Sequence, residues 1–151
     1  MRSVLTKQFA YLFNPWSDGK LRFQCSRFGG LTFRTMQRAA ESDPSIAARI
    51  EHLELRAVEE FYDLRNDPYC LTNLLAGGGD KKLRPEQKEQ LNRLRAKLRE
   101  WMVQVKDPAL KAFDNRHDPN ALKRFMQQYI EQATKEVEIL RKYEKKKGYR
   151  F

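Results

Sequence analysis

Residues 59–75 constrain the fold more than any other stretch of this chain. They read Glu59-Glu60-Phe61-Tyr62-Asp63-Leu64-Arg65-Asn66-Asp67-Pro68-Tyr69-Cys70-Leu71-Thr72-Asn73-Leu74-Leu75. Phe61 and Tyr62 suit a pleated, half-buried surface, so the stretch is expected to open as a strand. Leu64 is the last apolar residue before Arg65-Asn66-Asp67-Pro68, which is turn chemistry. Asn and Asp side chains bond nearby backbone, and the proline ring presets its own φ. Beyond the turn, Leu71, Leu74 and Leu75 are expected to return apolar groups to the core, with Asn73 between them.

Partner strands are expected at the N-terminus, over residues 2–5 and 8–13, joined tightly around Thr6-Lys7. Phe9, Tyr11 and Phe13 alternate there with Gln8, Ala10 and Leu12, the period of two that a strand requires. The chain thus opens inside a hairpin and leaves the next strand position as a bare edge, so further sequence is expected upstream. Asn14-Pro15-Trp16-Ser17-Asp18-Gly19 is loop punctuation. Residues 21–28 are basic and aromatic and lead to Gly29-Gly30. A helical insert follows. Thr32 is expected to cap a helix over about 33–41. Asp43, with Pro44 at the first helical position, is expected to cap a second over about 44–53.

After the central strand, Ala76-Gly77-Gly78-Gly79-Asp80 reads as a flexible connection. No Lys-Ser/Thr follows the glycines at the spacing a phosphate loop requires. Pro85 opens a helix expected to reach about Val105. Its apolar stripe is Leu91, Leu94, Leu98, Trp101, Met102 and Val105. Asp107-Pro108 and Asp118-Pro119 are two more cap-then-proline starts. The last helix is expected over about 120–142, with the stripe Leu122, Phe125, Met126, Tyr129, Ile130, Ala133, Val137 and Leu140. The tail 145–151 is expected to fray.

With 151 residues the chain can bury one modest core. Net charge is +10 and the isoelectric point near 9.8, which implies weak, non-specific attraction to polyanions. The cations on the Pro85 helix, Arg84, Lys88, Arg93, Arg95, Lys97 and Arg99, are interleaved with Glu86, Glu89 and Glu100. That pattern reads as a solvated face with i,i+4 pairing. The basic run from Arg141 to Arg150 is the better polyanion candidate. No apolar stretch approaches a membrane span, and residues 1–7 carry no long apolar run of the secretory kind. Cys25 and Cys70 are too few for a disulfide framework and lack metal-site spacing.

Chemistry-bearing patterns are sparse. Ser42-Asp43-Pro44-Ser45-Ile46 has a Ser-x-Pro-Ser spacing, but no Arg follows and no Asp pair precedes it. A helix cap with a first-turn proline accounts for every residue of it. Cys25-Ser26-Arg27 lacks the proline. His52 and His117 are far apart in the sequence, and no nucleophile-elbow pattern accompanies them. Asp63 and Asp67 read as turn carboxylates bonding backbone rather than as metal ligands. Trp101-Met102 reads as core.

Taken together, Glu60-Phe61-Tyr62-Asp63-Leu64, Asp67-Pro68, Asn73-Leu74 and Trp101-Met102 resemble a segment near the C-terminus of many sulfatases. The resemblance reaches back through Phe9-Ala10-Tyr11-Leu12-Phe13-Asn14 and covers roughly residues 2–113. Gly30-Leu31-Thr32-Phe33 and the stretch from Asp43-Pro44 to Ala48-Arg49 look like the branch close to heparan N-sulfatases (sulfoglucosamine sulfohydrolases). What it implies is an α+β fold: a small antiparallel sheet remnant with a helical insert and two long C-terminal helices. Residues 1–75 would form the subdomain core, 76–82 a Gly-rich linker and 83–151 a C-terminal helical region. The implied partner is a sulfatase catalytic domain, which would hold the formylglycine nucleophile and a calcium ion among hard oxygen ligands. Neither a catalytic residue nor a metal ligand is expected in this chain. In the intact parent, Arg22 and Arg27 could meet a sulfated sugar, and Phe23 and Phe28 could stack on it. For the aromatics, packing on the sheet is the competing reading. A free-standing basic helical module that binds nucleic acid or another polyanion is the alternative function. The family is usually exported, periplasmic or lysosomal, and this sequence assigns no compartment.

Overall fold

The computed structural model describes residues 1–17, 20–22 and 29–147, the last four of them by backbone alone. Its class is α+β. Three strands, β1 (Arg2–Leu5), β2 (Phe9–Phe13) and β3 (Glu59–Asp63), form an antiparallel sheet in the order β1-β2-β3. Thr6 closes the first hairpin: its backbone N–H donates to the Phe9 carbonyl at 2.9 Å, and its hydroxyl accepts from the Phe9 N–H at 2.9 Å. The register sets Val4 opposite Tyr11 and Tyr11 opposite Phe61. Side chains alternate along a strand, so Phe9, Tyr11, Phe13, Phe61 and Glu59 share one face. Ala10, Leu12, Tyr62 and Glu60 share the other.

The first face carries the core. Helix α3 (Pro85–Gln104) lays Leu91, Leu94, Leu98 and Met102 on it, each with almost no exposure. Burying a side chain of this size is worth about 1.5–3 kcal/mol relative to leaving it in water. Helix α4 (Leu110–Asp114) adds Ala112 and Phe113, and helix α5 (Pro119–Lys147) adds Leu122 near its start. Phe113 meets Phe13 edge-on with centroids 5.1 Å apart, and Phe9 stacks on Phe61 at 5.1 Å. The strands and α3 therefore share a single apolar cluster.

Two readings of α3 need correction, at Trp101 and at Arg95. Trp101 is 47% exposed and Val105 49% exposed. At 100° per residue Trp101 falls at the margin of the apolar face, and Val105 is the residue at which the helix stops. Arg95, by contrast, falls inside the buried face and is only 7% exposed. On α5, Tyr129, Ile130, Val137 and Leu140 are exposed, although Tyr129 still borders a small pocket with Arg2, Pro15, Trp16 and Pro108. The stop of α3 has its own chemistry. Lys106 adopts φ 53°, its N–H donates to the Val103 carbonyl, and the Asp107 N–H donates to the Met102 carbonyl at 2.8 Å. That is a Schellman closure with lysine where glycine is favoured.

The insert consists of α1 (Leu31–Ala39) and α2 (Pro44–Glu54). Gly30 stands at the N-cap of α1 without a side-chain bond, so Thr32 is inside the helix rather than its cap. Asp43 caps α2 as expected. After β3 the chain turns on carboxylates. Asp63 accepts from the Arg65 N–H at 3.2 Å, and Asp67 accepts from Leu71 and Thr72 at 2.9 and 2.8 Å. The Asp67 loop leaves Leu71 56% exposed, so that residue does not rejoin the core, whereas Leu74 and Leu75 do. Within the glycine-rich connection, Gly79–Lys82 winds a 3-10 turn.

Candidate functional site

The residues expected to meet a sulfated sugar lie between β2 and α1. Of these, Arg22 is described: its side chain is 65% exposed and pairs with Glu54 at the end of α2. Phe23, Arg27 and Phe28 lie outside the described residues, as does Cys25. Among the described residues Arg22 therefore sits at the surface, paired with one acid.

The Ser-x-Pro-Ser stretch is committed to a helix joint. The Asp43 carboxylate accepts from the Ser45 hydroxyl at 2.7 Å, the Ser45 N–H at 2.8 Å and the Ile46 N–H at 3.4 Å. Those bonds, the Ser45 hydroxyl first, hold its pKa below the usual carboxylate value. The Ser42 hydroxyl donates to the Ala39 carbonyl at 3.4 Å. Among the described residues no three His, Cys, Asp or Glu side chains gather as a metal ligand set would.

The principal electrostatic feature is one the sequence reading passed over: Glu59 and Glu60, neighbours in β3 on opposite faces of the sheet. Glu59 faces the core side. Its Oε1 accepts from the Tyr11 hydroxyl at 2.7 Å, Arg95 Nε at 2.8 Å and Arg116 Nε at 3.1 Å. Arg95 also forks onto Asp80 with bonds of 2.6 and 3.1 Å. Planar, bidentate geometry of this kind is what guanidinium provides and ammonium does not. The Arg95 hydrogen bond holds the Asp80 carboxyl below the ordinary range. Burial pushes the Tyr11 phenol up, and the Glu59 charge beside it pushes the same way. Arg116 lies over the Phe113 ring at 4.8 Å, and His117 stands 3.7 Å from Glu59 Oε2 at the surface. One carboxylate thus joins β2, α3 and the α4–α5 link.

Glu60 does the same on the other face, where it is 1% exposed. It accepts from Asn14 Nδ2 at 3.0 Å, the Ala57 N–H at 3.2 Å, Arg56 Nη2 at 2.5 Å and the Tyr62 hydroxyl at 2.9 Å. Asn14 Nδ2 also reaches the Ala57 carbonyl at 2.9 Å. His52 of α2 closes the group, with Nε2 3.2 Å from the Tyr62 oxygen. Burial, and then Arg56, hold its imidazole below its ordinary pKa. His52 and His117 therefore stand on opposite sides of β3. Cys70, at φ 53°, has its thiol pushed up by burial and by Asp67, the reverse of what a nucleophilic thiolate needs.

Glu59 Oε1 takes three donors and Glu60 takes four, so each acid is tied to several elements at once. They position the elements. The period of two was the signal available: consecutive acids in a strand must face opposite ways, and each needs its own cation once buried. Arg95, read from the sequence as solvated, is one of those cations. Asn73 completes β3 from outside. Its Oδ1 accepts from the Phe61 N–H at 3.0 Å and the Leu75 N–H at 3.1 Å, and its Nδ2 donates to the Glu59 carbonyl at 3.2 Å. The side chain takes the place of a fourth strand along that edge. The chain matches no protein-family model and no curated protein.

Proposed function

We propose that the chain is the C-terminal subdomain of a sulfatase of the heparan N-sulfatase kind. It packs on a catalytic domain that removes sulfate-ester or sulfamate groups from a sulfated sugar. The observation that supports this reading is that the part of the resemblance between Glu60 and Asn73 forms one interlocked unit. Glu60 and Tyr62 are buried and bonded to each other, Asp63 and Asp67 build the turn, and Asn73 seals the strand edge. The role fits the chemistry of the chain. Its buried acids hold structure, its serine pair caps a helix, and an exposed cation, Arg22, stands at the start of the basic, aromatic segment. In this role the chain contributes surface and cations to a substrate pocket, while the formylglycine and the calcium belong to the partner domain.

The test is complex formation. A heparan-N-sulfatase-like catalytic domain prepared without its own C-terminal subdomain is mixed with this chain, and the mass is followed by light scattering. A one-to-one complex is expected. Absence of any complex, together with submicromolar, tail-dependent and sequence-selective binding to nucleic acid at physiological salt, would replace this reading with that of a free-standing polyanion binder.

A further inference from the structure

The two edges of the sheet are treated differently. In an antiparallel ladder, residues that exchange hydrogen bonds with the next strand alternate with residues that turn their N–H and C=O the other way. Thr6 donates to the Phe9 carbonyl across the first hairpin, so the alternation makes Val4–Tyr11 and Arg2–Phe13 the bonded pairs. Ser3 and Leu5 therefore turn their N–H and C=O groups away from β2. By the same alternation Glu59 and Phe61 turn outward from β3, and that edge is closed. Asn73 takes the Phe61 N–H and the Glu59 carbonyl, and the Leu74 N–H donates to the Phe61 carbonyl at 2.9 Å. Among the described residues no group closes β1 in this way. Ser3 is exposed and Leu5 is 66% exposed. Sheets that keep a free edge blunt it with proline, a bulge or a charge. β1 holds no proline and pairs without a bulge, and its one charge, Arg2, is committed to Asp107.

We propose that the catalytic domain contributes an extended strand to the open edge of β1, as a fourth strand of this sheet. The inference rests on the sulfatase reading and says which surface the two domains share. The unpaired groups define the occupant. Donors and acceptors offered by alternate residues, Ser3 and Leu5, are matched by the backbone of an extended strand, as in other cases of strand addition. Side chains alternate between faces, so the residue of the added strand beside Val4 lies on the core face. Val4 is partly buried against the core cluster there, and an apolar neighbour is expected. Charge decides against a second copy of this chain as the occupant. A second copy would bring another +10 to the seam, and like net charge opposes association.

Amide hydrogen exchange, read residue by residue by nuclear magnetic resonance, tests the proposal. The full chain is compared with and without a heparan-N-sulfatase-like catalytic domain prepared without its own C-terminal subdomain. The Ser3 and Leu5 amides are expected to slow at least tenfold in the complex, and by more than Val4, whose N–H already bonds to β2. Ser3→Pro removes an outward N–H and leaves the bonds to β2 in place. It is expected to weaken the complex at least tenfold with the circular dichroism of the free chain unchanged. Leu5→Lys keeps every N–H and puts a charge on the edge. It is expected to weaken the complex at least threefold. A complex in which Ser3 and Leu5 exchange as fast as in the free chain overturns this inference and leaves the subdomain reading standing. A complex indifferent to both variants does the same. Absence of any complex overturns both. Slowing of the two amides on concentrating the chain alone would give the edge to a second copy and overturn the proposal.

Discussion

Replacing Glu59 with alanine tests whether β3 is the electrostatic hub of the fold. The carboxylate is 10% exposed and takes three donors on one oxygen. Removing one member of a buried ion pair costs about 3–5 kcal/mol, because the other charge is left without compensation. Arg95 keeps its fork on Asp80, so the lower end applies, and about 3 kcal/mol is expected. At roughly 2–4 °C per kcal/mol for a chain of this size, the melting temperature should fall by about 6–12 °C. The Tyr11 hydroxyl supplies an internal control. It is wholly buried and bonded to Glu59. In the native background Tyr11→Phe should cost about 1 kcal/mol, the net worth of a hydrogen bond. In the Glu59→Ala background the same change removes an orphaned hydroxyl and should be neutral or stabilising. Urea unfolding followed by circular dichroism reads both quantities. A Glu59→Ala chain within about 0.5 kcal/mol of the native one would refute the hub. So would a Tyr11→Phe cost that is the same in both backgrounds.

Leu98→Ala should destabilise by about 2–5 kcal/mol in the same urea assay, while Trp101→Ala, three residues on but half exposed, should cost less than half as much. Lys106→Gly should stabilise by about 0.5–1 kcal/mol, read as a higher urea midpoint, because φ 53° suits glycine and strains lysine. Stability should fall on acidification in two windows, measured as melting temperature against pH. Burial depresses His52 below its usual 6.5, so the unfolded chain takes that proton first and stability begins to fall below that value. The Asp80 carboxyl is held down by Arg95. At Asp107, burial alone would raise the pKa, but the Arg2 bonds outweigh it. Both therefore stabilise the fold above their usual 3.8 and lose that contribution as pH drops through their lower folded values. A melting temperature that rises between pH 6 and 3 would contradict this assignment.

The sheet was legible because Phe9, Tyr11 and Phe13 alternate with smaller or polar neighbours and because Arg65-Asn66-Asp67-Pro68 is unambiguous turn chemistry. The cap-then-proline signature placed the start of α2 for the same local reason. What escaped was long-range. Arg95 sits in a run of cations and glutamates that looks solvated. Only the approach of β3, 36 residues earlier, turns it into the partner of Glu59. Trp101 has the composition of a core residue and the helical angle of a margin residue, and only the place where α3 meets the sheet decides between them. The α5 stripe was legible as apolar, but periodicity shows which residues share a face and not how much of that face is covered, and Tyr129, Ile130, Val137 and Leu140 are exposed. Of the candidate substrate contacts, Arg22 alone can be followed into the fold, and its pairing with Glu54 depends on the insert folding back beside the loop.

Reconstituted turnover tests the central claim most directly. The catalytic domain lacking its C-terminal subdomain is assayed with calcium on sulfamated glucosamine and on an aryl sulfate, with and without this chain. The chain by itself is expected to give no turnover above a heat-treated control. Its addition should restore activity of the catalytic domain, and Arg22→Ala should raise KM for the sulfated sugar more than it lowers kcat. Restored turnover that is indifferent to Arg22 would remove that residue from the pocket. No restoration at concentrations that saturate any complex, or turnover by the chain alone that is lost on Ser42→Ala, would contradict the account.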